Sequence, residues 1–262
     1  MKIFVCIKQV PILSEIQVDV KNGKVIREGS KMVINPEDTN AIAEAIKLRD
    51  KFGGSVTVIS MGPKSVRIAL KEALAMGADD TLMLCDDSFA NSDAQVTAKV
   101  LARAIKKLGD FDLILCGAQT LDGNTALVGP QLAEYLDLPQ ITFVKQFDID
   151  GNKITAKRFT ELEDYTYECT MPALLTVTKE LNDPHLPTMI GIYDAYGSDD
   201  DPVWGREELG LTAEETGLSG SYTEVTKTFK LKRVSKVEYI NAKTNWEKAD
   251  ILVQKMLESK FI

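Results

Sequence analysis

The chain has 262 residues, 44% of them hydrophobic and 27% charged, with a formal net charge of -8. This is the balance of an ordinary globular protein, long enough to bury a real core. The acidic excess argues against non-specific nucleic-acid binding, and no apolar run approaches a membrane span, so no membrane insertion is expected.

Met1-Lys2 leads straight into Ile3–Ile7 with no small-residue cleavage site behind it. No signal peptide is expected, and the four scattered cysteines, Cys6, Cys85, Cys116 and Cys169, suit a reducing cytoplasm. Lys2–Ile7 is almost continuously apolar, as a central parallel strand is, and ends at Lys8-Gln9-Val10-Pro11. Asn22-Gly23, between Gln17–Val20 and Lys24–Ile26, predicts a hairpin. Asn35-Pro36 opens a helix, with Pro36 at its first position and Glu37 and Asp38 complementing the dipole. Ile42, Ala45, Ile46 and Leu48 mark its buried side, and Gly53-Gly54 ends it. Ser55–Ser60 is the next strand. Met61-Gly62-Pro63 introduces a helix that stops at Gly77. Thr81–Cys85, a helix over Asp93–Leu108 and a strand over Asp112–Cys116 follow.

Strand and helix thus alternate at intervals of roughly 25 to 30 residues, the spacing of βαβ units. The expected fold is α/β, a doubly wound, mostly parallel, Rossmann-like sheet. Ligands of such sheets sit outside the carboxyl ends of the strands. The loops after Ile7, Ser60, Cys85 and Cys116 should gather there, with the Asn35 loop joining them.

The stretch Asp112–Leu138 stands out. A short apolar run delivers the polar loop Gly117–Thr125 onto a helix carrying Leu132, Ala133 and Leu136. Such a loop points backbone N–H groups and a positive dipole end at one spot, which favours an anion such as a phosphate. Asn124 or Thr125 can cap the helix, and Pro130 must sit in its first turn or distort it. The same features also describe an ordinary strand-to-helix turn. The pattern is neither a P-loop nor a GxGxxG fingerprint, and the residues alone leave both readings open.

After Pro139 the segments Ile141–Phe147, Lys153–Phe159, Tyr165–Thr170 and Ala173–Thr178 read as antiparallel strands extending the sheet, with no new crossover. Glu180 to Arg206 reads as a long loop containing Ser198-Asp199-Asp200-Asp201. The stretch beyond it, to Arg233, reads as irregular, and Trp246–Phe261 as a terminal amphipathic helix. The single histidine, His185, has no matched partner for a metal or a catalytic triad. Any chemistry therefore belongs to a cofactor.

Val5–Pro11, Asn35-Pro36, Val58–Pro63, Leu74–Asp79 and the Asp112–Pro139 stretch together resemble the β subunit of electron-transfer flavoprotein. The resemblance covers most of Met1 to Asp194. Pro172–Thr176 fits the family's later strand, whereas Glu161-Leu162-Glu163-Asp164 departs from its usual Asp/Glu-Gly-Gly run. It implies an adenine-nucleotide-binding domain over 1–194. Residues 195–262 would form an extended arm and terminal helix docking on a larger α subunit, which holds an electron-shuttling flavin. Carried over by position, nucleotide contacts fall on Cys6, Asn35, Pro36, Glu37, Asp38 and Met61. They continue through Gly117, Ala118, Gln119, Thr120, Leu121, Asp122, Gly123, Asn124, Thr125, Ala126, Leu127 and Val128. No catalytic or metal-binding residue is implied.

In this family a loop after the last sheet strand docks on the partner dehydrogenase. Here it spans about Val177 to Asp199, with Leu186 and Met189 as apolar docking positions. Asp194 and Asp199–Asp201 stand where some relatives are lysine-rich, which implies a basic partner surface.

The run Asp122–Pro130 resembles that of the flavin-bifurcating members, with Asn124 in place of an acid and Leu127 in place of an amide. The resemblance then implies FAD in this chain, NADH as donor, and a flavin dehydrogenase for an acyl-CoA or a 2-hydroxy acid and ferredoxin as acceptors. The alternatives are a non-bifurcating carrier holding AMP, a subunit whose nucleotide only stabilises the fold, and a stand-alone nucleotide-binding sensor.

Overall fold

The computed structural model describes residues 1–12, 17–19, 24–26, 31–197, 201–226 and 237–261. Two compact units, Met1–Thr228 and Phe229–Ile262, are described separately.

The first unit begins with β1 (Lys2–Ile7), β2 (Gln9–Pro11), β3 (Gln17–Asp19), β4 (Lys24–Ile26) and β5 (Met32–Ile34). α1 (Pro36–Phe52), β6 (Ser55–Met61), α2 (Arg67–Met76), β7 (Asp80–Leu84), α3 (Ala94–Leu108), β8 (Leu113–Gly117) and α4 (Val128–Leu136) follow. Then come β9 (Gln140–Asp150), β10 (Lys153–Arg158), β11 (Tyr165–Thr170), β12 (Ala173–Val177), α5 (Met189–Ala195), β13 (Val203–Trp204) and α6 (Gly217–Gly220). β2 pairs with β5 and β3 with β4, each antiparallel. The expected Asn22-Gly23 turn lies outside the described residues, as do Ser198, Asp199 and Asp200.

The main sheet runs β11-β10-β9-β12-β8-β1-β6-β7-β13. From β9 to β13 every pairing is parallel; only the β9–β10 and β10–β11 pairings are antiparallel. Buried residues of α1 and α2 share a core with one face of the sheet, and those of α3 and α4 with the other. The chain winds outward from β1 to β6 and β7, then returns on the opposite face to β8. The order therefore reverses between β1 and β8, and loops leaving those two strands diverge to form a crevice. The doubly wound, mostly parallel α/β expectation is thus met, as is the antiparallel extension.

Three local expectations are corrected. β9 and β12 are parallel core strands, not antiparallel additions: α4 is the crossover into β9, and β12 slots between β8 and β9. Side-chain alternation has the same period in either direction, so it carries no information on strand polarity. The long loop after Glu180 contains the short α5 and β13. Both are too short for periodicity to register. α4 starts at Val128 with Leu127 at its cap and no side-chain cap bond, so neither Asn124 nor Thr125 caps it. Pro130 does fall in its first turn, where it sacrifices no ladder bond.

The compact unit extends past residue 194. Asp93 caps α3 by accepting the Val96 N–H at 2.9 Å and also accepts N–H groups from Tyr222 and Thr223. The buried pair Lys71–Asp201, at 3.0 Å, ties the approach to β13 onto α2. In the second unit, α7 (Asn245–Glu258) opens with a Thr244/Glu247 capping box. It has no buried residue, and Trp246, Leu252 and Leu257 are exposed. Among the described residues no helix is long and apolar enough to cross a membrane.

Candidate functional site at the strand-order reversal

The crevice is organised by two side chains at the start of α1. Asp38 accepts the Lys8 N–H at 2.7 Å and the Gly117 N–H at 2.9 Å, joining the ends of β1 and β8. Asn35 donates from Nδ2 to the Gln119 carbonyl at 2.9 Å and accepts the Leu121 N–H at Oδ1 at 3.1 Å. The Asn35 N–H in turn donates to the Lys8 carbonyl at 2.9 Å. Glu37 accepts the Gln119 N–H at 2.9 Å. The first turn of α1 therefore holds the loop after β8 by its backbone. Gly117 is required here, because a Cβ would lie 2.3 Å from Asp38 Oδ1.

Beyond Leu121 the loop tightens. Asp122, whose side chain is 12% exposed, is paired with Lys8 Nζ through both oxygens at 2.7 Å. Its Oδ1 also accepts the Gly123 N–H at 2.8 Å. Asn124 and Ala126 have left-handed φ of 48° and 54°, and Leu127 returns to -101°. Alternating signs of φ turn successive N–H groups inward, the concave arrangement that receives anions. The N–H groups of Thr125 and Ala126 make no hydrogen bond among the described residues. A left-handed alanine costs of order 1 kcal/mol. The loop spends that energy to face its donors toward one point, just ahead of the α4 dipole.

The carboxylates respond differently to this setting. Burial pushes Asp38 up to about 7, against the opposing pull of its hydrogen bonds. Burial likewise raises Glu37, opposed by the Gln119 N–H. Burial works against ionised Asp122, but the Lys8 ammonium, with the Thr120 hydroxyl and the Gly123 N–H, holds that carboxyl below its ordinary range. Burial, with the Asp38 charge, lifts the Cys6 thiol to about 12. Burial and the neighbouring Cys6 and Asp38 raise Cys116 as well. Both cysteines are therefore neutral packing groups.

Asn35, Pro36, Glu37, Asp38 and the run from Gly117 to Val128 are thus brought to one edge. Cys6 lies in the floor of the crevice, opposite Ile59 and Cys116 in the strand register, with its side chain buried. Met61 ends β6 on the far side of β1. Leu186 and Met189 lie elsewhere, beside α2. Their side chains are 85% and 82% exposed on a rigid base. His185 donates from Nε2 to the Met76 carbonyl at 2.9 Å, Thr188 caps α5, and a Cβ on Gly191 would meet the Ala75 carbonyl oxygen at 2.4 Å.

Two residues escaped the sequence reading. Lys8 carries only the weak signal of a cation placed directly after a buried strand. Arg158 carries none. It lines a cleft of about 320 Å³ with Pro130, Gln140, Ile141, Thr142 and Tyr167. Its Nε is buried with no hydrogen-bond partner among the described residues. Pro130 belongs to the first turn of α4, so this cleft opens beside the anion-receiving loop. Among the described residues no group of three His, Cys, Asp or Glu side chains is arranged to hold a metal ion.

Comparison with known proteins adds a family match and three relatives. The electron transfer flavoprotein domain family matches residues 22–195. The chain is 46% identical over 228 residues to an electron transfer flavoprotein subunit beta of Thermoanaerobacterium thermosaccharolyticum, covering 87% of each chain. It is 40% identical over 265 residues to the caffeyl-CoA reductase-Etf complex subunit CarD of Acetobacterium woodii. It is 34% identical over 270 residues to the acryloyl-CoA reductase electron transfer subunit gamma of Anaerotignum propionicum. Both matches span the whole of each chain.

Proposed function

The chain belongs to the electron transfer flavoprotein β-subunit family, and from that premise we propose that it is a flavin-bifurcating member holding FAD at the strand-order reversal. It is an electron-transfer subunit of a flavin-dependent complex. In the proposed reading NADH is the donor. The electrons pass towards the flavin of a larger α subunit and a flavin dehydrogenase for an acyl-CoA or a 2-hydroxy acid, and towards ferredoxin.

The observation that carries the reading is the loop Asn124–Leu127, where φ alternates in sign and the Thr125 and Ala126 N–H groups make no hydrogen bond among the described residues, just ahead of α4. That donor set fits a phosphate or pyrophosphate. Asn35 and Asp38 fix the loop's stem. The Thr125 and Ala126 N–H groups, which make no hydrogen bond among the described residues, are the proposed donors to the phosphates, and the Thr125 hydroxyl adds a further one. The backbone near Cys6 and Met61 bounds the adenine end. A bound flavin supplies the hydride acceptance and one-electron release that side chains do not offer. The relatives named for caffeyl-CoA and acryloyl-CoA reductase support an acyl-CoA partner over a 2-hydroxy acid partner. Leu186 and Met189 are the proposed dehydrogenase contacts, and residues 195–262 the proposed arm toward the α subunit.

Acid extraction of the purified αβ dimer tests the cofactor. Two FAD per dimer is expected. One FAD plus one AMP would make the chain an ordinary carrier subunit. Two FAD without NADH-dependent ferredoxin reduction, with partner dehydrogenase and substrate present, would retain the binding claim and remove bifurcation.

A further inference from the structure

Lys8 lies outside every nucleotide contact proposed above, yet its surroundings are built. Its N–H is held by Asp38 and its carbonyl by Asn35, so its backbone is fixed from both sides. Its side chain, 42% exposed, crosses from β1 to the loop after β8. There Asp122 takes the ammonium through both oxygens at 2.7 Å and the Gly123 N–H at 2.8 Å. A Cβ on Gly123 would lie 4.0 Å from Lys8 Nζ, so the ammonium sits at the loop tip. An acidic group that collects an ammonium, the Thr120 hydroxyl and a backbone N–H beside an anion-receiving loop has the donor set of a phosphate oxygen pair. A phosphate arriving beside Asp122 would meet a like charge.

We infer that Asp122 stands in for the ligand's phosphate, and that Lys8 and the Gly123 N–H pass from Asp122 to that phosphate on binding. Lys8 is then a phosphate-binding residue and Asp122 an internal competitor that keeps the loop shaped. This rests on the nucleotide reading above and makes the phosphate charge, not the base, the feature sensed at this point. No bond forms or breaks; one ion pair is exchanged for another.

Equilibrium dialysis of the full chain co-purified with its α subunit and stripped of nucleotide, using AMP and adenosine as probes, tests the exchange. Lys8→Met should weaken AMP binding by about 10- to 100-fold, the loss of one charged hydrogen bond, and leave adenosine binding unchanged. Lys8→Arg should restore most of the AMP affinity. Asp122→Asn should leave AMP binding equal or tighter, because it frees the ammonium. Equal weakening of AMP and adenosine by Lys8→Met would overturn the proposal. So would a tenfold or greater loss of AMP binding in Asp122→Asn, on the same scale of one charged hydrogen bond. A wild-type complex that binds neither probe would remove the nucleotide reading itself along with it. The proposal alone fails if the wild type prefers AMP to adenosine and Lys8→Met keeps that preference.

Discussion

The Asp38 carboxylate accepts the Gly117 N–H at 2.9 Å while its other oxygen holds the Lys8 N–H at 2.7 Å. One buried acid thereby closes the seam between β1 and β8 where the strand order reverses. Its carboxyl lies at about 7 in the folded chain against an ordinary value of 3.8. The native state therefore binds more protons than the unfolded chain between those values. The stability this contributes is fully present below pH 3.8 and is lost as pH rises through about 7. Asp38→Asn should flatten the fall in stability across that window. Urea unfolding of both proteins at several pH values gives the difference; parallel curves would show that Asp38 is not the titrating group.

Gly117→Ala places a methyl group 2.3 Å from Asp38 Oδ1 and 2.9 Å from Glu37 Cβ. Neither neighbour can retreat without moving the start of α1. We expect about 1–3 kcal/mol of destabilisation, with loss of bound nucleotide. A shifted urea midpoint with nucleotide retained in full would mean that the seam and the site are independent.

Thr125→Val removes the hydroxyl and keeps the shape. The only bond this hydroxyl makes in the loop is a long one, accepted from the Leu127 N–H at 3.5 Å, so the fold should survive. Nucleotide retention should fall by about 1.5–3 kcal/mol, a lost hydrogen bond to a charged group. A bulky residue at Gly123 should act in the same direction. Unchanged nucleotide content after gel filtration in both variants would take the loop tip out of the site.

Met189→Glu tests docking without touching the crevice. Electron delivery to the partner dehydrogenase should be abolished while flavin content is kept. Gly191→Val supplies an independent arm: its branched side chain would collide with the Ala75 carbonyl and lift α5 off α2. It should impair the same transfer with the anchor residue intact. Normal partner reduction by Met189→Glu would place docking elsewhere.

The sequence made the doubly wound core readable because buried strands and amphipathic helices differ in length and period. Asn35-Pro36 announced α1, and the Gly117–Thr125 loop announced a site edge. Strand direction was not readable: Ala173–Val177 is buried throughout and, Thr176 apart, apolar whichever way it runs, and its place between β8 and β9 depends on the whole sheet. Asp38 was carried into the site by resemblance, but its double acceptor role depends on two strand ends that lie 30 residues before it and 79 residues after it. Lys8 was missed because a lysine after a strand usually faces solvent, and only the Asp122 register reveals its partner. Arg158 was missed because its alternating strand looked like any edge strand.

Because β12 lies between β8 and β9, a late strand of the central sheet is an interior one, followed in synthesis only by the two-residue edge strand β13. Until residue 177 has left the ribosome, β8 and β9 each present an unpaired edge, with the β10–β11 hairpin hanging from only one of them. Exposed edges invite pairing with other chains, and late closure of non-local strand pairs is slow. The nascent chain therefore carries a vulnerable interval whose length is set by the 35 residues between Asp137 and Ala173, a separation visible in the helix and strand bounds. Ribosome-stalled chains ending before and after β12 should differ sharply in protease resistance. Equal resistance would mean that β8 and β9 find another arrangement while they wait.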